Sequence, residues 1–185
     1  MKKTIKVENP GTKSIIREIE CDSLSEINKK VDCCSQQFKN MQSLKFADRV
    51  EILKKISNII DNNIESLADS LVEEVGKTKE EARNELRASK KVYEWFANQV
   101  LPEIIIPSTS KKVTVIRKPY GVIGLIIPWS FPMAVLAWKM APSILNGNTV
   151  IIKSSPLAPL TTDKFVDIIN SILPFGVVNH IKGYR

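Results

Sequence analysis

The sequence predicts an α/β protein with a helical amino-terminal region followed by a parallel βαβαβ unit, half of a Rossmann-type doubly wound sheet. Through the first hundred residues, apolar side chains recur every three or four positions, as they do along one face of a helix. Short apolar runs then alternate with helical patterns, which is typical of a parallel sheet. The 185 residues, 43% hydrophobic and 25% charged, fit one globular domain.

The amino-terminal region is predicted to begin with a turn and two helices. A short extended start is followed by Asn-Pro-Gly at residues 9–11, which indicates the turn. Ser23 and Glu26 have the spacing of a capping box, which opens the first helix. The next helix, Phe46–Asn62, has an amphipathic stripe formed by Val50, Leu53, Ile56 and Ile60.

A long helix completes this region. Thr78 and Glu81 form a second capping box at its start, and Pro102 is expected to end it. Its apolar face is predicted to contain Ala82, Leu86, Ser89, Tyr93, Phe96 and Val100.

The pattern then changes from helix to strand. Lys112–Lys118 alternates apolar with basic or polar residues, as a half-exposed strand does. Val122–Ile127 is a continuous apolar run, which indicates a buried strand. Pro132 suits the first turn of a helix, and that helix is expected to continue through Leu145.

Two further strands and one helix complete the predicted βαβαβ unit. Asn146 and Gly147 can end the preceding helix in the left-handed conformation. Thr149–Lys153 is predicted as a buried strand and Val177–Ile181 as a last short strand. Between them lies a helix whose inward residues are Phe165, Ile168, Ile169 and Ile172.

Composition excludes several classes of function. The chain has 27 basic and 20 acidic residues, but the lysines are mixed with acids, and no aromatic residues alternate with a basic cluster. We therefore expect no nucleic-acid binding. Cys21, Cys33 and Cys34 lack CxxC spacing, and the sole histidine, His180, is distant in sequence, so no metal site is expected.

The sequence also predicts where the protein resides. Unpaired cysteines favour a reduced cytoplasmic protein, and residues 1–11 lack the apolar stretch of a signal peptide. Residues 119–138 form an uncharged run of 20, but Pro128 and Pro132 divide it into pieces too short to cross a bilayer as a helix. We expect a buried strand, turn and helix there, with no membrane span.

The candidate binding residues follow two predicted strands. Ligands of parallel α/β sheets bind beyond the carboxyl ends of the strands, so PWSFP at 128–132 and KSSP at 153–156 are the segments placed to contact one. The sequence has no G-x-G-x-x-G motif. A standard Rossmann phosphate loop is therefore excluded.

Several motifs resemble those of the aldehyde dehydrogenase family. The most specific are PYGVIGLIIPWSFP at 119–132 and KMAPSILNGNTVIIKSS at 139–155. NPGT at 9–12, EVGKTKEEARNEL at 74–86 and LPFGVVNHIKG at 173–183 are also similar to family segments. The resemblance covers essentially the full chain and implies the amino-terminal part of the aldehyde dehydrogenase fold.

The resemblance also implies roles for individual residues. Lys153 matches a lysine that reaches the adenosine ribose hydroxyls of NAD, or the 2′-phosphate of NADP. Ser130 stands where the family has an asparagine that stabilises the oxyanion, and a serine hydroxyl has a shorter reach. The implied cofactor-binding residues are Ile126, Ile127, Pro128, Trp129, Lys153, Ser155 and Pro156.

Two departures from the family pattern affect the expected chemistry. The family's acidic residue three positions after the lysine is Pro156 here, which removes a charge that would repel a 2′-phosphate. Relaxed or NADP-leaning specificity is the resulting hypothesis. The family's Gly-x-Gly after the last strand becomes Gly183-Tyr184-Arg185, so the match ends at this point.

The implied activity is NAD(P)-dependent oxidation of an aldehyde to a carboxylate. The family's nucleophilic cysteine and general-base glutamate lie downstream of the matching segments, so activity is expected only when a catalytic domain is supplied. The alternative is a non-catalytic remnant that binds a nucleotide or a partner protein. A homo-oligomer and a complementing carboxyl-terminal chain are the macromolecular partners to expect.

The expected organisation has three parts within one incomplete domain. Residues 1–105 form the mainly helical part, and residues 106–120 hold a strand that resembles the family's oligomerisation element. Residues 121–185 form the incomplete dinucleotide-binding unit.

Overall fold

The computed structural model describes residues 3–100, 105–106, 113–115, 117–174 and 176–184. The chain begins with an antiparallel hairpin of β1 (Thr4–Glu8) and β2 (Ile15–Glu20). The Asn9 side chain stabilises the turn, because its Oδ1 accepts from the backbone amides of Gly11 (2.9 Å) and Thr12 (3.1 Å). The predicted turn is confirmed. A small separate core under the hairpin contains Ile5, Val7 and Ile19.

Four helices follow the hairpin: α1 (Leu24–Ser43), α2 (Phe46–Asn62), α3 (Ile64–Val75) and α4 (Lys79–Ala97). Both predicted capping boxes are present, at Ser23 with Glu26 and at Thr78 with Glu81. The stripe predicted on α2 faces the core, where Leu53, Ile56 and Ile60 are fully buried.

The end of α4 differs from the prediction. The helix stops at Ala97, and Val100, assigned to its apolar face, lies beyond the helix with 83% of its surface exposed. Pro102, the predicted terminator, lies outside the described residues. The α3 helix was not apparent in the sequence. It begins directly after Asn63, whose side-chain amide donates to the Ile59 carbonyl at the end of α2.

A short antiparallel pair connects the two halves of the chain. Strand β3 (Ile105–Ile106) pairs with β4 (Val113–Thr114). The strand predicted over Lys112–Lys118 is thus strand at two positions only among its described residues, since Val115, Arg117 and Lys118 are not in a strand. Residues 112 and 116 lie outside the description.

The second half contains the predicted βαβαβ unit. Strands β5 (Val122–Ile126), β6 (Thr149–Lys153) and β7 (Val178–Ile181) form a parallel sheet in that order. Helices α5 (Pro132–Leu145) and α6 (Leu160–Asn170) connect them. Gly147 has a φ of +85° after α5, as expected of a residue that ends a helix in the left-handed region.

Side chains alternate between the two faces of this sheet. Val150 and Ile152 join the main core with α5 and α6, while the Thr149 hydroxyl on the opposite face donates to the Cys34 carbonyl of α1 (3.0 Å). The same main core includes residues of α2, α3 and α4. The helical region and the sheet are therefore packed around shared apolar residues.

Two apolar residues, Ile126 and Ile172, are more exposed than predicted. In β5, Leu125 is buried but Ile126 is 73% exposed, because β5 is an edge strand with one face uncovered near its carboxyl end. Ile172, assigned to the inward face of α6, lies after the helix and is 44% exposed. Within the described ranges, no helix has the length and apolar character needed to cross a membrane.

Candidate functional site

The segments PWSFP and KSSP lie together at the carboxyl edge of the parallel sheet. They border a groove of about 1180 Å³, here called the strand-end groove. One wall consists of residues 126–129 and the other of residues 153–157, with Tyr184 at the end. All seven positions predicted to bind the cofactor line this groove: Ile126, Ile127, Pro128, Trp129, Lys153, Ser155 and Pro156.

The wall from β5 is mainly apolar and differs in exposure along its length. Ile126 and Trp129 are 73% and 50% exposed, so their side chains are open to a ligand. Ile127 is buried and belongs to the core, although it borders the groove. A planar, partly apolar ligand would therefore meet Ile126 and Trp129 first.

Among the described residues that line the groove, Lys153 is the cationic one. In this structure its ammonium donates to the carbonyl of Ser154 (2.7 Å). Burial lowers the pKa of Lys153, and the nearby Cys21 acts in the opposite direction. None of the described residues that line the groove carries a carboxylate. The charge of the described groove lining therefore favours an anionic ligand.

A buried glutamate occupies the amino terminus of α5, directly after PWSFP. Oε1 of Glu85 accepts from the amides of Met133 (2.9 Å) and Ala134 (3.1 Å). Its Oε2 pairs with Lys77, whose ammonium lies 3.8 Å from the centre of the Phe131 ring. The side chain of Glu85 is 1% exposed. This carboxylate satisfies first-turn amides that have no partner within the helix.

A second glutamate does the same for α6, directly after KSSP. The Glu74 carboxylate accepts from the amides of Leu160 (2.7 Å) and Thr161 (2.8 Å). Burial raises the pKa of Glu74, although these hydrogen bonds oppose the shift. Helix amino termini often bind phosphate, but here a carboxylate of the same chain occupies both. The sequence also lacks the glycine-rich motif that would place a phosphate at a helix amino terminus, in agreement with these contacts.

The sequence did not identify the roles of Glu74, Lys77 and Glu85. All three lie in the segment EVGKTKEEARNEL, where the sequence indicates only a resemblance to a family motif. The amides on α5 and α6 that bind Glu85 and Glu74 are 48 to 87 residues away in sequence. No local spacing can indicate contacts at that distance.

Ser130 lies outside the strand-end groove and lines a neighbouring cavity of about 620 Å³. Trp129 borders both spaces, so the cavity and the groove adjoin at this residue. Lys77, Glu85 and Phe131 line the same cavity. Within the described part of the chain, the Ser130 hydroxyl makes no hydrogen bond, which leaves it available to a ligand.

The described residues contain no group of three or more His, Cys, Asp or Glu side chains placed to hold a metal ion. The three cysteines are free thiols, and Cys34 is buried between α1 and the sheet.

Known proteins resemble this chain in both sequence and structure. The model of the aldehyde dehydrogenase family matches residues 1–185. The α-ketoglutaric semialdehyde dehydrogenase of Bacillus subtilis is 31% identical over 97% of the chain, and the D-glyceraldehyde dehydrogenase (NADP(+)) of Picrophilus torridus is 33% identical over 97%. The chain spans 38% of the length of each of these relatives.

A solved structure of a related protein has the same fold as this chain. The glyceraldehyde-3-phosphate dehydrogenase of Methanocaldococcus jannaschii, crystallised with NADP, superposes with a TM-score of 0.92 at 29% identity. The alignment covers the whole of this chain and 42% of that one. Because the family model matches the full sequence and the fold agrees, the chain belongs to the aldehyde dehydrogenase family.

Proposed function

We propose that the strand-end groove binds NAD or NADP and that the chain provides this part of an aldehyde dehydrogenase that oxidises an aldehyde to a carboxylate. The observation that carries the proposal is the groove itself. Two segments 25 residues apart in sequence, chosen for their place after β5 and β6, line one space. A relative crystallised with NADP supports the same assignment.

The residues that line the groove fit a dinucleotide. Ile126 and Trp129 offer apolar surface, and Lys153 and Ser155 offer donors for ribose hydroxyls. The Lys153 ammonium keeps its contact with the Ser154 carbonyl and donates to the ribose through its other N–H groups, since an ammonium has three donors. When bound, the nicotinamide supplies the hydride acceptor for aldehyde oxidation.

The groove favours NADP over NAD in this proposal. A 2′-phosphate beside the ribose would meet the Lys153 ammonium, while Pro156 offers no carboxylate to repel it. The diphosphate is not expected at α5 or α6, because Glu85 and Glu74 occupy their amino termini. It is expected to contact residues of the family fold outside the segment that this chain matches.

Ser130 is the proposed donor to the aldehyde oxygen. Its hydroxyl faces a mainly apolar cavity beside the groove, which would hold the aldehyde. The nucleophilic cysteine and the general base are expected from the remainder of the family fold, either in a complementing carboxyl-terminal chain or in a longer protein. A donor at the oxyanion position is typically worth about 3 kcal/mol. The location proposed for the protein is the cytoplasm, consistent with three free cysteines.

Tryptophan fluorescence tests cofactor binding. The sequence has three tryptophans, and Trp129 lines the groove while Trp138, on α5, does not. NADPH should quench the emission of the purified chain with a saturable dependence on concentration. Trp129→Phe should lose most of this quenching, whereas the control Trp138→Phe should retain it. Quenching that is absent, or equally reduced in both variants, would refute the proposal.

A second candidate function is association with another protein through exposed aromatic residues. Trp95 and Trp138 are 54% and 59% exposed, and both contact Phe96 in edge-to-face geometry, at 4.7 and 6.4 Å between ring centres. A homo-oligomer formed through this surface should be detected by light scattering and should dissociate in Trp95→Ala. A monodisperse monomer would exclude self-association.

A further inference from the structure

Behind the strand-end groove, hydrogen bonds link three polar side chains, two of them buried and the third, Asp163, half-buried. Oγ of Ser154 is 2.7 Å from Nε2 of His180, and Nδ1 of His180 is 3.1 Å from Oδ1 of Asp163. Ser154 and His180 are 3% and 5% exposed. The order resembles that of a nucleophilic triad, but a hydroxyl this buried has no room to bond to a substrate carbon. Ser154, His180 and Asp163 must therefore have a role other than nucleophilic catalysis.

The fold brings these residues together from three elements. Ser154 follows β6, His180 lies within β7 beside Ile152, and Asp163 is in the first turn of α6. Ile152, Ser154 and His180 all project toward the side of the sheet that α6 covers. Lys153 projects toward the opposite face, near Cys21 and Ile181.

The charges around His180 determine its hydrogen-bonding state. Burial by itself would raise the pKa of Asp163, but hydrogen bonds from His180 and Lys182 outweigh this and lower the pKa to about 2. Burial lowers the pKa of His180, Asp163 opposes the shift, and Lys182 and Lys30 reinforce it. The imidazole is therefore neutral at pH 7, donates a hydrogen bond from Nδ1 to Asp163, and accepts one at Nε2 from the Ser154 hydroxyl.

Contacts on the other side of the sheet hold the backbone around His180 in place. The Lys30 ammonium of α1 donates to the His180 carbonyl (2.8 Å) and to both carboxylate oxygens of Asp22 (2.7 Å each). Asp22 in turn accepts from the Lys182 amide (2.8 Å). The backbone of β7 beside His180 is thus held from both faces of the sheet.

Ser154 connects these hydrogen-bonded side chains to the groove. Its side chain is held by His180, and its carbonyl accepts from the Lys153 ammonium. We propose that Asp163, His180 and Ser154 act as positioning residues that fix where the Lys153 ammonium stands, and so set the affinity of the groove for a dinucleotide. This inference rests on the proposed function of the groove.

A double-mutant cycle tests the inference, with NADPH affinity of the purified chain as the readout. Ser154→Ala should weaken binding about fivefold, the usual effect of one lost hydrogen bond. In a Lys153→Ala background the same change should have no further effect, because the residue that Ser154 positions is gone. A remote control, Ser35→Ala on α1, should leave affinity unchanged in both backgrounds.

The outcomes separate this inference from the function on which it rests. Losses that add in the double variant, or an unchanged affinity in Ser154→Ala, would overturn the positioning role alone. Failure of the unmodified chain to bind NADPH would overturn the proposed function and this inference together. If Ser154→Ala does not fold, judged by circular dichroism, His180→Gln replaces it in the same cycle with the same two outcomes.

Discussion

At the scale of single residues, the two buried glutamates differ in one respect. Both cap a helix, but Glu85 also pairs with Lys77, while Glu74 has no cationic partner in the described part of the chain. Removing the charge of Glu85 therefore leaves a mostly buried ammonium uncompensated. Removing the charge of Glu74 leaves only amide hydrogen bonds to readjust.

The matched pair Glu85→Gln and Glu74→Gln should consequently differ in stability. We expect Glu85→Gln to lower the free energy of unfolding by about 3 kcal/mol, the cost of breaking a buried ion pair. Glu74→Gln should lower it by about 1 kcal/mol, as for one weakened hydrogen bond. Urea unfolding at pH 7 measures both. Equal losses would show that Lys77 adds nothing to the role of Glu85.

His180 should make stability depend on pH. Its pKa is lower in the folded than in the unfolded chain, so the unfolded chain takes up a proton first as pH falls. The stabilisation is complete above the unfolded pKa of about 6.5 and is lost as the pH falls from there toward the folded pKa. His180 is the only histidine in the sequence.

His180→Gln should remove this dependence. Thermal melts of both proteins between pH 7.5 and 5 provide the comparison, and the difference between them isolates His180 from the carboxylates. We expect the melting temperature of the unmodified chain to fall more steeply than that of the variant. Parallel curves would contradict the buried, neutral state assigned to the imidazole.

Pro156 is the residue on which the proposed NADP preference depends. Pro156→Glu places a carboxylate beside the expected 2′-phosphate and should weaken NADPH binding by about tenfold or more, with little change for NADH. Pro174→Glu adds the same charge at an exposed position outside the groove and serves as the control. Equal effects of Pro156→Glu on NADPH and NADH would contradict the preference.

At the scale of elements, local signals in the sequence predicted well what local physics determines. The capping boxes at Ser23 and Thr78, the span of α5 and the left-handed Gly147 are all confirmed. These features depend on side chains within four residues of one another. The end of α4 and the start of α3 were missed because no glycine or proline marks either position in the sequence.

Gly147 illustrates a local signal reinforced by tertiary contact. Its φ of +85° favours glycine, and a Cβ there would lie 2.9 Å from Nη1 of Arg49 on α2. We expect Gly147→Ala to lower the free energy of unfolding by more than about 1 kcal/mol. Gly124 in β5 has open space at the Cβ position, so the control Gly124→Ala should have little effect. Similar losses in chemical denaturation would refute the explanation.

At the scale of the whole molecule, the sequence indicated where the candidate site lies but not which buried side chains hold its segments in place. The rule that ligands bind beyond the carboxyl ends of parallel strands indicated PWSFP and KSSP, one segment in each wall of the groove. The buried partners Glu74, Glu85 and His180 come from other elements, and only the assembled fold brings them to these segments. The motif resemblance was correct about the family and carried no information on these contacts.

Hydrogen–deuterium exchange of the purified chain with and without NADPH tests the central claim most directly, because it locates binding along the chain. We predict that NADPH slows exchange in peptides that contain residues 126–130 and 153–157, and leaves the exposed surface of α2 and α3 unchanged. Protection confined to other segments, or no protection at saturating NADPH, would contradict the assignment of the strand-end groove as the cofactor site.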